Sequence, residues 1–229
     1  MPSVSKAQGA EERVAAVVGA VSTLLRAALR ERGQAGLIVS GGSTPRPVFD
    51  ALARVDLAWE QVTMTLADER WVEPSDNDSN EHLVRQHLLR GPAAAAQFIP
   101  LKNAAADAAG GAAATAQALA AFPWPADVLM LGMGDDGHTA SLFPHAPELA
   151  EALRTQARCI AVTPPAAPHR RMSLSAHTLL DARNVFIDIT GSGKWATYER
   201  AAGPGPVEEM PVRLMLQQQK VPVHVYWSP

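Results

Sequence analysis

The sequence predicts an α/β protein built on a single doubly wound, mostly parallel sheet flanked by helices, a Rossmann-like arrangement. Five or six short apolar runs recur along the chain with helical patterns between them, and several of these runs lead into glycines or polar residues. No linker interrupts the alternation, so the 229 residues are expected to form one domain, 1–229. The clearest strand candidates are 37–40, 62–66, 128–131, 184–190 and 221–227.

The composition excludes several classes of protein. Apolar residues make up 47% of the chain and charged residues 19%, which is typical of a soluble globular protein. A net charge of −3 without a basic stripe argues against a nucleic-acid partner. The sequence has neither an 18-residue apolar span nor a secretory signal, so we expect no membrane partner and a cytoplasmic location. The single cysteine, Cys159, falls in a predicted strand at 159–163 and is expected to be a buried, unreactive thiol.

The first predicted element is a long amphipathic helix. Apolar residues recur at spacings of three and four from Val14 to Leu29, and the helix is expected to end near Gly33. One face of this helix should therefore pack against the sheet.

The first apolar run leads into a glycine-rich turn at 41–44. Pro45 is suited to the first position of a helix that continues to about Arg54. Exposed backbone N–H groups at such a turn can bind an anion. A plain strand-to-helix turn with Thr44 as the helix cap fits the local sequence equally well.

The second run, 62–66, opens into a charged segment that contains Asp68, Glu69 and Arg70. Charged residues in a loop are usually just solvated. Here the arginine stands between two acids and Trp71, a setting that could hold its planar fork rigid for phosphate. Arg70 is therefore a candidate phosphate ligand.

The polar segment 76–81 is predicted to begin a helix. It lacks the glycine and the glutamate that a calcium loop needs at its sixth and twelfth positions. Asp78 and Glu81 are spaced as a capping box for a helix over 79–90. A short strand at 97–101 and an alanine-rich helix over 104–121 follow.

The strand at 128–131 ends in the most informative stretch of the chain. Three glycines there match the dinucleotide-binding fingerprint, but adjacent carboxylates stand where a pyrophosphate would approach. Pro144 and Pro147 also leave too little room for the long helix that normally follows. We therefore predict a ligand site of another kind, with Asp136 and His138 at the carboxyl end of the strand.

The second half of the chain supplies further candidate cations. A stiff, proline-rich connector over 163–168 leads to Arg170 and Arg171. Tandem arginines are more often solvated than functional, but a rigid approach lowers the cost of aiming one at a ligand. After the strand at 184–190, Lys194 lies at a helix start, where it could meet a phosphate as a point charge.

Doubly wound topology can bring four of these polar clusters to one edge of the sheet. Together they offer anion-binding backbone, cations, one imidazole and a few carboxylates, with no spacing typical of metal ligands. This inventory predicts acid/base chemistry on a phosphorylated small molecule, without a metal or redox cofactor. The clusters are 41–44, 68–70, 136–141 and 191–194.

Five motifs between residues 41 and 194, taken together, resemble the glucosamine-6-phosphate isomerase/6-phosphogluconolactonase family. The resemblance implies a fold shared with glucosamine-6-phosphate deaminase. It also implies cofactor-free hydrolysis of 6-phospho-D-glucono-1,5-lactone to 6-phosphogluconate in the oxidative pentose phosphate pathway. The motifs are Gly41-Gly42-Ser43-Thr44-Pro45, Ala67-Asp68-Glu69-Arg70-Trp71-Val72, the stretch from Gly132 to Pro144, Arg171-Met172-Ser173-Leu174 and Gly191-Ser192-Gly193-Lys194.

The same resemblance implies roles for individual residues. His138 matches the general base, and Asp136 beside it would orient the imidazole. Arg171 matches the family's spacing to Ser173, although Arg170 remains an alternative. The residues implied to bind the substrate are Gly42, Ser43, Thr44, Asp68, Arg70, Arg171 and Lys194.

Two other functions are compatible with this fold. Amino-sugar phosphate deaminases and isomerases resemble the chain through the Asp-Gly-His core, but they place a glutamate five residues after the histidine, where this chain has Phe143. A non-catalytic sugar-phosphate sensor should carry a DNA-binding module, and only one helix precedes the first predicted strand. The expected partner is a phosphorylated sugar lactone, and the expected assembly is a monomer or small homo-oligomer.

Overall fold

A computed structural model describes residues 2–229, over which strands and helices alternate. The strands are β1 (Ser3–Lys6), β2 (Ala35–Val39), β3 (Val62–Leu66), β4 (Asp68–Arg70), β5 (Gln97–Ile99), β6 (Val128–Leu131), β7 (Cys159–Val162), β8 (Arg171–Leu174), β9 (Val185–Thr190) and β10 (Val223–Ser228). The α-helices are α1 (Ala10–Arg32), α2 (Arg46–Leu52), α3 (Asn80–His87), α4 (Ala108–Leu119), α5 (Leu149–Ala152), α6 (Ala176–Leu179), α7 (Ser192–Ala202) and α8 (Arg213–Leu216).

The larger sheet contains seven parallel strands in the order β1-β10-β9-β6-β2-β3-β5. From β2 the chain adds β3 and β5 on one side and then crosses to add β6, β9 and β10 on the other. The predicted doubly wound, mostly parallel class is confirmed. The direction of winding reverses between β2 and β6, and in such sheets ligands bind outside the carboxyl ends of the strands at this switch point.

A second, antiparallel sheet in the order β4-β8-β7 is not predicted by the sequence. The segment interpreted as a charged loop forms β4, which pairs Asp68 with Ser173 and Arg70 with Arg171 across β8. The strand predicted at 159–163 is present as β7, but it pairs with β8 outside the main sheet. Strands of three or four residues carry little periodic signal, and their pairing depends on contacts between distant parts of the chain.

The core lies against both faces of the main sheet. Every residue of β2 and β6 is buried, as expected for strands covered on both sides. Helix α1 packs against the sheet and buries Val17, Val21 and Leu25. It ends at Gly33, whose φ of 69° lies in the left-handed region that glycine adopts at low cost. The predicted first helix and its end are therefore confirmed.

Three local details differ from the sequence predictions. The predicted capping box is wrong, because Ser79 caps α3 by accepting a hydrogen bond from the backbone N of His82 at 3.1 Å, while Glu81 binds Arg85. Helix α2 begins one residue after Pro45. Strand β1 is not predicted, because its four residues are exposed and Val4 is the only apolar one.

Within residues 2–229, no helix combines the length and the apolar character needed to cross a membrane. The predicted burial of Cys159 is confirmed. Burial raises the pKa of its thiol to about 11.

Candidate active site

A cavity of about 350 Å³ opens at the switch point, beyond the carboxyl ends of β2 and β6. Its walls come from the main sheet, the small sheet and the turns that follow the strands. Eight of the nine predicted site residues line it, namely Gly42, Ser43, Thr44, Asp68, Arg70, His138, Arg171 and Lys194. The ninth, Asp136, contacts His138.

His138 and Asp136 form a hydrogen-bonded pair in the turn after β6. Asp136 Oδ1 lies 2.6 Å from His138 Nδ1 and accepts a hydrogen bond from the His138 backbone N at 3.0 Å. Asp136 thereby links the imidazole ring to the backbone of the same residue. Because the carboxylate accepts a hydrogen bond, the ring nitrogen that carries a proton beside it is Nδ1. The other ring nitrogen, Nε2, has no hydrogen-bond partner within residues 2–229.

Two glycines of the apparent dinucleotide fingerprint shape this turn. A Cβ atom at Gly134 would lie 2.0 Å from His138 Nδ1, so the ring can occupy its position only beside a glycine. Gly137 has a φ of 79°, which favours glycine. The backbone N of Gly134 closes the turn by donating to the carbonyl oxygen of His138 at 2.8 Å.

The Asp136 carboxyl is held in its charged form. Partial burial acts to raise its pKa, but hydrogen bonds from the ring and backbone N of His138, together with the charge of the ring, outweigh burial and lower the pKa to about 2. Phe143 packs beside the imidazole with ring centroids 4.4 Å apart. The ring therefore lies between a carboxylate and an apolar surface.

Arg171, not Arg170, faces the cavity. Arg171 is only 6% exposed, and burial lowers the pKa of its guanidinium while nearby Asp68 opposes that effect. One of its terminal nitrogens donates to the carbonyl oxygen of Pro168 at 3.2 Å. Arg170 lies against a different cavity and donates to Thr163 Oγ1 at 3.0 Å. Because successive residues at the start of a strand point to opposite faces, one of the two arginines is turned away.

Arg70 and Lys194 line the cavity from β4 and from the first turn of α7. Arg70 Nη1 donates to the carbonyl oxygen of Asp78 at 2.6 Å. Lys194 Nζ lies 2.9 Å from Asp135 Oδ1, on a carboxylate that is almost fully exposed. A guanidinium has five N–H donors and an ammonium three, so both side chains keep donors for an anion.

The turn 41–44 joins β2 to α2 at the cavity edge. Gly42 has a φ of 109°, a conformation that other residues rarely adopt. The alternative role of Thr44 as a helix cap is excluded, because the cap position falls on Pro45 and no side chain of residues 2–229 caps the helix start. Thr44 Oγ1 instead lies 3.5 Å from Thr190 Oγ1.

Asp68 is buried at the cavity wall. Its Oδ2 accepts a hydrogen bond from Ser141 Oγ at 2.5 Å, and its backbone oxygen accepts one from Asn80 Nδ2 at 2.8 Å. The small sheet therefore carries Asp68, Arg70 and Arg171 into the cavity as a group.

Glu69, the next residue, points away from the cavity into the protein. Its fully buried carboxylate accepts four hydrogen bonds, at 2.7 Å from each of three backbone N atoms and 3.0 Å from a hydroxyl. Burial raises its pKa to about 7 against the opposing effect of these bonds. The donors are Arg70, Asn80, Glu81 and Ser79. Because it is fully buried outside the cavity, Glu69 is not placed to take a proton from a water that attacks a ligand there.

Three further cavity residues were not singled out by the sequence analysis, namely Ser40, Asn80 and Asp188. Each is buried and carries a polar atom without a partner among residues 2–229. Burial raises the pKa of Asp188, and an ion pair with Arg13 opposes that effect. The sequence could have indicated Asp188 as a site residue, because it is a carboxylate inside an otherwise apolar strand. No local pattern distinguishes Ser40 or Asn80 from ordinary structural residues.

The fold and this cavity define a doubly wound α/β protein with a polar ligand site at its switch point. Within that class, the chain belongs to the family described as glucosamine-6-phosphate isomerases/6-phosphogluconolactonase, whose model matches residues 8–227.

Individual relatives agree with this membership. A 6-phosphogluconolactonase of Pseudomonas aeruginosa is 44% identical over 222 residues, which cover 96% of this chain and 92% of that protein. The crystal structure of a 6-phosphogluconolactonase from Shewanella baltica OS155 superposes with a TM-score of 0.99 and 42% identity, covering 100% of this chain and 98% of that one. A monomeric glucosamine-6-phosphate deaminase superposes with a TM-score of 0.79 and 18% identity, covering 99% and 97%. The deaminase shares the fold, as the resemblance implied.

Proposed function

We propose that the protein hydrolyses 6-phospho-D-glucono-1,5-lactone to 6-phosphogluconate, as a step of the oxidative pentose phosphate pathway. One observation carries the proposal: the switch-point cavity joins a carboxylate-oriented imidazole to three cationic side chains. The first group suits acid/base catalysis and the second suits a phosphate. High identity to proteins named 6-phosphogluconolactonase supports the same reaction.

His138 acts as the general base. With Nδ1 held by Asp136, Nε2 is the nitrogen that accepts a proton from the attacking water. The water oxygen adds to the C1 carbonyl, and the bond between C1 and the ring oxygen then breaks. The imidazolium returns its proton to the departing ring oxygen, so that one residue serves both steps. Asp136 stabilises the imidazolium between the two steps.

The phosphate binds at the turn 41–44 together with Arg70, Arg171 and Lys194. Backbone N–H groups of the turn and the three cations supply donors, and Arg171 is already desolvated, which strengthens its pairing with an anion. Asp68 lies on the same wall and suits a substrate hydroxyl. A cavity of about 350 Å³ is within the range of small-molecule sites.

A deaminase activity is not expected, because this chain lacks a glutamate that the resembling deaminases have. Phe143 occupies the position where deaminases and isomerases that resemble this family place a glutamate. Its ring packs on His138 and is nearly buried. We therefore expect no ammonia release from glucosamine 6-phosphate.

The test is a coupled assay with freshly generated lactone, corrected for spontaneous hydrolysis, run beside an ammonia assay with glucosamine 6-phosphate. The expected result is rapid lactone turnover without ammonia. Ammonia release at a comparable rate would favour a deaminase. Binding of 6-phosphogluconate in calorimetry without any lactone turnover would favour a sugar-phosphate sensor.

The proposal extends to the setting of the enzyme. It works in the cytoplasm as a single domain over 1–229, as a monomer or small homo-oligomer without a nucleic-acid or membrane partner. The net charge of −3 supports the absence of a nucleic-acid partner. Light scattering of the active protein measures its assembly.

A further inference from the structure

Most of the buried polar atoms without a partner among residues 2–229 belong to residues that line the cavity. Six buried side-chain nitrogen or oxygen atoms within residues 2–229 have none. Four of the six belong to residues that line the cavity, namely Ser40, Asn80, Arg171 and Asp188. Buried polar groups in native proteins are almost always paired, so such a concentration points to a ligand that completes the bonds.

Asp188 is the carboxylate of this group and lies on β9, next to the central strand β6. It is 4% exposed, and its Oδ1 is paired with the guanidinium of Arg13 on α1. Arg13 is itself 2% exposed. The ion pair with Arg13 favours the ionised form of Asp188 and opposes the effect of burial, and in that form Oδ2 is an acceptor without a donor among residues 2–229.

Asp127 is a second buried aspartate of this protein and provides a comparison, because both of its oxygens have partners. It is also buried and paired with an arginine, Arg32, at the opposite end of the sheet. Its second oxygen, however, accepts a hydrogen bond from the backbone N of Gly36 at 2.9 Å. Both oxygens of Asp127 are therefore satisfied within the protein, whereas Asp188, which lines the cavity, has one buried oxygen without a partner among residues 2–229.

We propose that Asp188 Oδ2 accepts a hydrogen bond from a hydroxyl group of the sugar and so selects hydroxylated ligands. This inference rests on the proposed function. A carboxylate oxygen can pair only with a donor, and the phosphate, the lactone carbonyl and the ring oxygen are all acceptors. Hydroxyl groups are the donors that a sugar lactone offers. A ligand without them leaves the buried oxygen unpaired, and sites of this kind discriminate strongly.

The test compares two ligands of similar length and charge in calorimetry, 6-phosphogluconate and 6-phosphonooxyhexanoate, which lacks the chain hydroxyls. The ratio of their Kd values measures recognition of the hydroxyl groups. In Asp188→Asn the amide oxygen should face Arg13, because the guanidinium can only donate. The amide NH₂ group then replaces Oδ2, so a donor takes the place of an acceptor. We expect the preference for 6-phosphogluconate to fall about tenfold or more. Affinity for 6-phosphonooxyhexanoate should stay unchanged.

Two further variants separate recognition from folding. Arg13→Gln combined with Asp188→Asn removes both charges of the buried pair, so that no charge is left uncompensated, and it should show the same loss of preference. Asp127→Asn is the matched control and should keep the wild-type ratio. Melting temperatures of all variants identify losses that follow from unfolding.

Two results would overturn the inference. One is an unchanged Kd ratio in folded Asp188→Asn. The other is an equal change for both ligands, which would place Asp188 beside the phosphate instead of a hydroxyl. Lactone turnover by the wild-type protein is measured separately, so absence of turnover refutes the proposed function, while the Kd ratio alone decides the role of Asp188.

Discussion

At the scale of single residues, the position of His138 follows from a two-residue spacing and a glycine. Asp136 Oδ1 contacts both the ring and the backbone N of His138, and Gly134 leaves room for the ring. Such a turn holds an imidazole in one orientation without help from distant parts of the chain. Preorganisation of this kind is what a general base requires.

We predict that His138→Asn lowers kcat by about 10²- to 10⁴-fold, the usual contribution of a general base. Asparagine keeps polarity and approximate size but cannot accept the proton from water. Fold and affinity for 6-phosphogluconate should largely survive, which circular dichroism and calorimetry check. Hydrolysis within a few-fold of wild type by the folded variant would mean that water is activated elsewhere. Asp68 would be the next candidate, since it lines the cavity and Glu69 does not.

Asp136→Asn should also lower kcat, by less than His138→Asn. In the double variant of Asp136 and His138, the loss of transition-state stabilisation should be smaller than the sum of the two single losses, because the two residues act as a unit. The pKa of Asp136 is lowered to about 2, so its charge is lost only as the pH falls through that value. Across the range of a practical assay, the Asp136 carboxylate therefore stays charged. Kinetic constants of the single and double variants, measured at one pH, test the coupling, and fully additive losses would contradict it.

The neighbouring arginines allow a matched test of phosphate binding. Arg171→Ala and Lys194→Ala should raise KM by about 10- to 100-fold, because hydrogen bonds to charged groups are worth about 1.5–3 kcal/mol. Arg170→Ala is the control and should leave KM unchanged, since Arg170 lies against another cavity. Steady-state kinetics with phosphorylated and unphosphorylated lactone provide the measurement. If the Arg171 and Lys194 variants discriminate between the two lactones as well as wild type, these residues do not bind the phosphate.

At the scale of elements, the small sheet positions one wall of the site. Antiparallel pairing of β4 with β8 sets Arg70 opposite Arg171 and brings Asp68 into the same cavity. Glu69 fastens β4 to the start of α3 through bonds to the backbone N atoms of Asn80 and Glu81. The geometry of this wall therefore depends on the strand pairing together with one buried side chain.

That carboxylate predicts a pH dependence of stability. Burial raises the pKa of Glu69 from 4.5 to about 7, so the folded protein holds a proton that the unfolded chain loses between these values. The stabilisation is fully present below pH 4.5 and is lost as the pH rises through about 7. A pKa shift of this size corresponds to a change of about 3 kcal/mol in the free energy of unfolding.

We therefore expect the free energy of unfolding of wild type, relative to Glu69→Gln, to fall by about that amount between pH 4.5 and pH 8. Denaturant unfolding at several pH values measures the difference. Glu81→Gln is the control. Glu81 is also a buried glutamate, but its carboxylate pairs with Arg85 and does not accept the four hydrogen bonds that Glu69 accepts. A difference between wild type and Glu69→Gln that is independent of pH would contradict the prediction.

At the scale of the whole molecule, the site exists because the winding reverses between β2 and β6. The turns that follow these two strands diverge and leave a crevice, which the small sheet covers from the side of β3. Candidate catalytic and binding groups that are far apart in sequence meet there: His138 follows β6, the turn 41–44 follows β2 and Lys194 follows β9. A glucosamine-6-phosphate deaminase shares this fold, so the fold alone does not determine the chemistry, which depends on the residues placed on it.

The sequence by itself determined the elements whose signal is local. The buried strand β6, the long helix α1 with its end at Gly33, and the turn that holds Asp136 and His138 all follow from hydrophobic periodicity, glycine conformation and short spacing. Motif resemblance identified the other predicted site residues, from the turn 41–44 to Lys194, by type and order. These features need no knowledge of distant partners, because the physical forces that set them act within a few residues.

Only the tertiary structure decided what depends on pairing across the chain. The small sheet, the choice of Arg171 over Arg170, and the roles of Glu69 and Asn80 follow from contacts that no local pattern specifies. The buried pair of Arg13 with Asp188 joins residues 175 positions apart. Whether such a pair forms, and which oxygen stays free, depends on how the whole core packs, because desolvation and pairing energies are set by the completed interior.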